Sequence, residues 1–424
     1  MKKTKLNLFL VVLSLVVLPA SFATIGASAA ESKQQLSSFD AKIYKGIVVT
    51  QLKQSTVPRA EGGWAIYSKL QGHYFSAEAN SFQVSKELLA LSEVSRTVEL
   101  PGFDHVAKMA NSTLRTYLSD ARETKEPTGT LAYFPIMDHS TGRRGVPNAI
   151  AAMVPAFNVP DDFDSSSQAF LWFSRSGQQS AYQDAFVSTV AKYRDVNRSG
   201  QHSNDNLWKS PGSGAFMTWA ERDTSVPLGN RIFQGINDVD CVVDLNILTA
   251  LAIYKQNHTL PSATAQGEEA TCKLIIYAVK NGYVPKCGVY YDRSSEFWIS
   301  FANAKVAGTT CLDSAVSQVE SSMIKRGLVL ANPKTQVTNA TEVAEIIVAL
   351  KKLIPAEQRS ANVEQLLVNL ESRLRSLFKV AASGAAYPTT EDSQFIVRGF
   401  NFIRLDWYSP AYTSALSLLA LTLP

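Results

Sequence analysis

The sequence predicts an all-α protein, a single (α/α)6 toroid of about six outer–inner helix hairpins. Three observations carry that prediction. A polar phrase recurs ahead of strongly apolar helices. Amphipathic helices alternate with those apolar ones. A glycine shortly before an aromatic ring joins one kind to the other. Self-similarity at the spacing of one supersecondary unit marks a helical array. The 424 residues would otherwise suit two or three average domains.

The elements follow in chain order. Residues 1–29 read as a signal peptide. Lys2, Lys3 and Lys5 precede an apolar run from Leu6 to Leu18, Pro19 breaks it, and Ala27-Ser28-Ala29 offers a small-residue cleavage site. That run is short for a membrane span, so the toroid is expected over residues 30–424 of an exported protein, periplasmic or extracellular. Outer helices are expected at Ser38 to Leu52, Phe103 to Ala121, Gln179 to Val196, Glu268 to Lys280, Leu312 to Arg326 and Val363 to Phe378. The last shows the wide apolar stripe of a surface helix in Leu367, Leu370, Leu374 and Leu377.

The inner helices follow the repeated phrase. Glu78-Ala79-Asn80-Ser81 leads into Leu88 to Leu91, Asp162-Phe163-Asp164-Ser165 into Ala169 to Trp172, and Asp238-Val239-Asp240-Cys241 into Ile247 to Leu251. Val337-Thr338-Asn339-Ala340 leads into Ile346 to Leu350, and Tyr408-Ser409-Pro410-Ala411 into Leu418 to Leu421. A less regular inner helix is expected at Ser295 to Val306, carrying Phe297, Trp298 and Phe301. These helices are apolar nearly all round, as buried helices are. Hydrophobic residues make up 46% of the chain, enough for a substantial core. The formal charge is +4, and three of those positives leave with the signal peptide. A nearly neutral mature chain excludes an electrostatic nucleic-acid binder.

The turns between outer and inner helices also rhyme. Gln51 leads to Gly62-Gly63-Trp64; Gly214-Ala215-Phe216, Gly288-Val289-Tyr290 and Gly384 before Tyr387 repeat the glycine-then-ring order. The first copy resembles the glutamine–glycine–tryptophan repeat of squalene and prenyl cyclases. The chain as a whole resembles the terpenoid cyclase and protein prenyltransferase superfamily, and the resemblance covers nearly the whole mature sequence. It implies a toroid whose inner helices all start at one end. Their leading residues, Glu78, Asp162, Asp164, Asp238, Asp240 and Asn339, would then ring one mouth of a central cavity.

The same resemblance implies a chemistry. Class II terpene cyclases carry an Asp-x-Asp-Asp-type motif at a helix start, and oxidosqualene cyclases an Asp-Cys-Thr-Ala motif there. Asp162-Phe163-Asp164-Ser165 is similar to the first, and Asp238-Val239-Asp240-Cys241 to both. By that likeness Asp240 is the proton donor, Asp238 an orienting carboxylate and Cys241 a hydrogen-bonding neighbour, with Asp162 and Asp164 as a second acidic pair. Rings such as Phe216, Trp219 and Trp298 would stabilise positive charge through their π faces, and Trp64, Tyr290, Tyr387 and Trp407 complete the candidate binding rings. The expected partner is a small hydrophobic, isoprenoid-type molecule, for which contact with a membrane surface is compatible. No cofactor is implied. The five histidines are His73, His105, His139, His202 and His258, none on a late inner helix, so no zinc site is expected.

Other readings stay open on the residues alone. Asp or Asn ahead of Ser or Cys at a helix start is an N-cap, accepting backbone N–H bonds. Paired carboxylates on neighbouring inner helices would also suit an inverting glycosidase acting on a polysaccharide. A non-catalytic scaffold binding a lipid, glycan or protein is the third. The four cysteines allow three connectivities. Cys241 opens the third inner helix and Cys287 precedes the fourth, so both fall at the mouth on adjacent units and are expected to pair. Cys272 and Cys311 then form the second bridge between successive outer helices.

Overall fold

The structure, a computed structural model, describes residues 33–51, 62–70, 73–118, 129–131, 136–138, 143–144, 161–177, 180–196, 212–220, 239–291, 293–390, 395–399 and 403–424. Two sets of helices alternate along the chain. The outer set is α1 (Ser38–Thr50), α3 (Phe103–Arg115), α5 (Ser180–Val190), α7 (Ser262–Lys280), α10 (Val316–Ala331) and α12 (Ala361–Ser376). The inner set is α2 (Ser81–Thr97), α4 (Phe163–Arg175), α6 (Cys241–Lys255), α9 (Ser294–Ala307), α11 (Ala340–Leu353) and α13 (Pro410–Thr422). A single turn, α8 (Val284–Cys287), precedes α9.

The inner helices close a ring. α2 packs on α4, α4 on α6, α6 on α9, α9 on α11, α11 on α13, and α13 returns to α2. This is the expected (α/α)6 toroid. Outer helices bury one stripe each: Val106, Ala110, Thr113 and Leu114 on α3, and Val363, Leu366, Leu367, Leu370 and Leu374 on α12. The inner helix α6 buries every residue from Cys241 to Ala252. Outer boundaries differ from expectation by a few residues, as helix ends commonly do. The largest differences are six residues, at the start of α7, which begins at Ser262 after Pro261, and at the ends of α3 and α5; Leu52, Ala121 and Gln179 lie outside the described residues.

Side-chain bonds show that the inner helices run the same way. Near their starts, Ser295 on α9 donates to Glu345 on α11, Thr341 on α11 meets Thr413 on α13, and Ser409 ahead of α13 donates to Glu87 on α2. Near their ends, Arg175 on α4 donates to Leu89 O of α2, Lys352 on α11 to Asn303 on α9, and Lys351 on α11 to Ala420 O of α13. Five of the six starts are capped by the residue the repeated phrase supplies. Asn80, Asp162, Asp240, Asn339 and Ser409 each accept a backbone N–H from their own first turn.

Short strands supplement the helices, which the helical period did not announce. β1 (Ile66–Leu70) lies between β2 (His73–Glu78) and β10 (Ile403–Tyr408), and β10 pairs with β9 (Phe395–Gly399), all antiparallel. Tyr67 stands opposite Tyr408, so this sheet ties the first repeat to the last. Small two-stranded pairs are β3 (Ile136–Asp138) with β4 (Arg143–Arg144), β5 (Asp161–Asp162) with β6 (Trp219–Ala220), and β7 (Phe378–Val380) with β8 (Ala386–Pro388). No described helix is long and apolar enough to cross a membrane.

The turn aromatics pack the hairpins. Trp64 is fully buried and donates its Nε1–H to Ile47 O of α1 at 3.0 Å. Gln51 holds the same turn through Gly62 O at 2.7 Å and Val106 O at 2.9 Å. Phe216 lies over Gly267 of α7, where a Cβ would meet its ring at 2.3 Å. Tyr387 rests against Gly46 of α1.

Candidate functional site

The ring encloses a central cavity of about 560 Å³, inside the size range of ligand pockets. Its floor includes Lys86, Gln168, Asn246 and Tyr412; a belt of Leu89, Leu171, Ile253, Ile299, Val348 and Leu416 forms the wall. Glu93, Arg96, Arg175, Gln256, Asn303 and Lys352 stand at the opening. These last are at the C-terminal ends of the inner helices. The sequence placed the mouth at the other end, where the helices begin. There the described side chains are packed together, leaving a void of only about 20 Å³ among Phe82, Asp162, Asp164, Trp219, Tyr290 and their neighbours. The cause is the size of the residues in the first turns and turns before them: Phe82, Phe163, Tyr290, Tyr291 and Phe297 are all buried.

Asp164 and Asp240 do lie at the same end, both reaching the segment Val289–Tyr291. Asp240 is saturated by main-chain donors. Its Oδ1 accepts Val242 N–H at 2.7 Å and Val243 N–H at 3.3 Å. Its Oδ2 accepts Val289 N–H at 2.5 Å and Tyr290 N–H at 2.9 Å. Next to it, Cys241 is bonded to Cys287, with Cα atoms 5.3 Å apart. Cys241 is therefore no thiol, and the hydrogen-bonding role the cyclase likeness implied for it does not apply. Cys272 is bonded to Cys311, which sits in a 3-10 turn ahead of α10. Asp240 and the Cys241–Cys287 bridge thus clamp one loop from two sides.

That loop delivers two tyrosines. Tyr290 OH accepts the Nε1–H of Trp219 at 2.8 Å, and the two rings meet edge to face. Tyr291 OH donates to Asp164 Oδ2. Asn246 of α6 donates to Asp164 Oδ1 at 2.7 Å. Asp164 is 7% exposed. Burial raises its pKa first, while Lys86, Tyr291 and Asn246 pull the other way; the net direction is upward. Asp162 caps α4 through Ser165 N–H and Oγ–H. Burial and then the adjacent Asp164 push it up to about 8.

Above this pair sits an aromatic cage with a cation already in it. The Lys86 Nζ lies 4.4 Å from the Phe82 ring centroid, 5.2 Å from Tyr412 and 5.6 Å from Tyr291. Six helix N-termini converge on this half of the ring, each with positive partial charge. The buried carboxyl groups Glu87, Asp164 and Glu345 lie in the same half of the ring.

Of the residues singled out by sequence, Asp162, Asp164, Trp219 and Tyr290 come together. Trp64, Phe216, Trp298 and Tyr387 line neither hollow. Asp238 lies outside the described residues. Glu78 ends β2 and Trp407 lies on β10, and their side chains are outside them too. Sequence reasoning missed Tyr291, Asn246 and Lys86. Tyr291 directly follows the flagged Gly288-Val289-Tyr290. Asn246 and Lys86 are single polar residues on inner helices, where the helical period gave no sign of a shared floor.

The architecture defines a class: the chain has the terpenoid-cyclase toroid fold. It is similar in structure to the type II terpene cyclase MstE from Scytonema. Against a variant of that enzyme holding its substrate, geranylgeranyl dihydroxybenzoate, the TM-score is 0.52 at 14% identity, covering 91% of this chain and 97% of the other. Against a variant with the product merosterolic acid A the TM-score is 0.51 at 14% identity with the same coverage, and against a further apo variant 0.54 at 12%. At this identity the likeness is one of fold. No protein-family model and no curated protein matches the sequence.

Proposed function

We propose that this protein takes a linear isoprenoid chain into its central cavity and cyclises it by proton transfer from Asp164. One observation carries the reading: Asp164 is a buried carboxyl whose partner Asn246 is itself part of the cavity floor. A donor to an alkene or epoxide must be neutral at rest yet leave a stable conjugate base. Burial favours the neutral acid, and the Asn246 and Tyr291 hydrogen bonds stabilise the carboxylate once the proton is gone. In the step, the Asp164 O–H bond breaks and its proton adds to an alkene carbon or epoxide oxygen. The carbocation formed is attacked by the next double bond, and loss of a proton to a base ends the sequence. The donor role expected of Asp240 passes to Asp164 in this reading, because four main-chain N–H groups hold the Asp240 carboxylate. The substrate and product named for MstE, a geranylgeranyl arene and a merosterolic acid, suggest the class of chain to try.

A second reading, binding without turnover, is favoured by Lys86. Its ammonium occupies the cage where a carbocation would be stabilised, and it draws Asp164 toward the charged form. The glycan alternative gains less, since Tyr412 is the single aromatic residue among the described residues that line the cavity. Incubation with geranylgeranyl-bearing substrates, read by mass spectrometry, separates the readings. Cyclised product should form with the native chain and fall about 10³-fold in Asp164→Asn. Tight binding with no product supports the second reading, and undiminished product in the variant rules out Asp164 as donor.

We place the mature chain outside the cytoplasm, with residues 1–29 removed. The reading is supported by the two cystines, which persist in oxidising compartments. N-terminal sequencing of secreted material tests it.

A further inference from the structure

Among the described residues, every lysine of the inner helices but one is paired with a carboxylate. Lys255 pairs with Glu268, Lys305 with Asp313, Lys351 with Glu371 and Lys352 with Glu93. These four stand in the last turns of α6, α9 and α11, where the helix dipole also favours a cation. Lys86 differs on both counts. It sits in the second turn of α2, where the dipole gives a cation no support. Among the described residues its Nζ has ring faces for neighbours and makes no hydrogen bond or ion pair.

The setting of that amine suits a reaction. The centroids of Phe82, Tyr412 and Tyr291 lie 4.4, 5.2 and 5.6 Å from Nζ. Ring faces attract the charge without taking an N–H in a directed bond, so the amine keeps its protons free for chemistry. Lys86 also lines the central cavity, and the wall between it and the opening is apolar, built by Leu89, Leu171, Ile299, Val348 and Leu416. Two buried carboxyls feel its charge: Lys86 draws Asp164 and Glu345 toward the ionised form, against their burial. Tyr291 stands between the groups, its ring beside Nζ and its hydroxyl on Asp164. A lysine in an apolar, water-poor pocket is the usual source of Schiff-base chemistry.

We propose that Lys86 is a covalent attachment site: its amine condenses with the terminal aldehyde or ketone of an isoprenoid chain lying in the apolar belt. The proposal rests on the isoprenoid reading for the class of chain, and adds a bond-forming step that cyclisation does not use. Nζ attacks the carbonyl carbon to give a carbinolamine, and loss of water leaves a protonated imine. The C=O bond is broken and a C=N bond formed. Two of the three ammonium protons depart with the carbonyl oxygen as water, and the third stays on nitrogen. Charge is conserved and nothing is oxidised or reduced. The iminium therefore keeps the ring cage that held the ammonium, with Asp164 and Glu345 as counter-charges. The carbonyl end of the ligand lies on the floor, and its chain runs toward the opening.

The test incubates the full mature chain with the isoprenoid aldehyde farnesal, adds borohydride, and maps the labelled peptides by mass. Reduction fixes the imine as a secondary amine, a gain of the aldehyde's mass less one oxygen atom. Lys86 should be labelled at least about tenfold faster than Lys273, whose side chain is 73% exposed. Excess farnesol, which cannot condense, should slow labelling at Lys86 and leave Lys273 unaffected. Lys86→Arg keeps a cation in the cage and should abolish the fast label; the map of the native chain decides without it if that variant fails to fold. Fast labelling that persists in a folded Lys86→Arg chain overturns the proposal. Labelling of Lys86 no faster than Lys273, while farnesol binds in a calorimetric titration, overturns the covalent site and leaves the isoprenoid reading standing. Failure of farnesal and farnesol alike to bind overturns both.

Discussion

Substituting Asp240 separates a structural carboxylate from a catalytic one. Asp240→Ala removes the cap of α6, costing about 1 kcal/mol. It also strips the acceptor from the Val289 and Tyr290 N–H groups, at roughly 1–3 kcal/mol for each buried donor left unpaired. Val289 is half-buried, so the low end applies there and the total comes to about 4 kcal/mol. Unfolding entropy of about 2.1 cal/mol/K per residue over roughly 390 residues gives about 0.8 kcal/mol/K. The midpoint should therefore fall by about 5 °C. Asp240→Asn keeps an oxygen for the cap but turns an amide NH2 toward the two loop donors, and should still lose about 3 kcal/mol. Thermal unfolding followed by far-UV circular dichroism reads the change, with turnover or ligand binding measured on the same samples below the transition. An Asp240→Ala protein with an unchanged midpoint and abolished turnover would refute the argument and return the proton-donor role to Asp240.

Two further predictions concern stability. Burial, against hydrogen bonds from Gln83 and Ser409, pushes Glu87 up to about 8. An acid raised on folding contributes its full stability below its unfolded pKa near 4.5 and loses it as pH climbs toward 8. Glu87→Gln should therefore gain stability over the native chain at pH 8, by a few kcal/mol, with little difference at pH 4.5; urea midpoints at the two pH values check this, and parallel curves would contradict it. Reducing the Cys241–Cys287 bridge opens a loop spanning 46 residues, worth about 4 kcal/mol of unfolded-state entropy. A Cys241→Ala, Cys287→Ala protein should melt about 5 °C lower and bind ligand more weakly, because the same loop presents Tyr291 to Asp164.

Much of the fold was legible because each repeat announces itself locally. A capping residue, an apolar helix and a glycine before a ring are short-range signals, and Asn80, Asp162, Asp240, Asn339 and Ser409 are caps wherever their helices lie. The strands of β1 and β10 were not legible, since residues 66–70 and 403–408 meet only when the ring closes. The candidate site was half legible. Asp164 stands in a recognisable acidic pair, whereas Tyr291 and Asn246 approach it across 127 and 82 positions of chain.

By itself the sequence determined the array of hairpins, the polar residue heading five of the six inner helices, and the pairing of four cysteines. All of these follow from local propensity or from the order of repeats. Tertiary structure alone decided which acid is held by main-chain donors and which is held by side chains beside the cavity. It also decided where the described residues leave a hollow. Among them the bulk of Phe82, Tyr290 and Tyr291 fills one end of the ring, while residues toward the helix C-termini leave space, and such filling depends on how side chains from six helices meet on one axis.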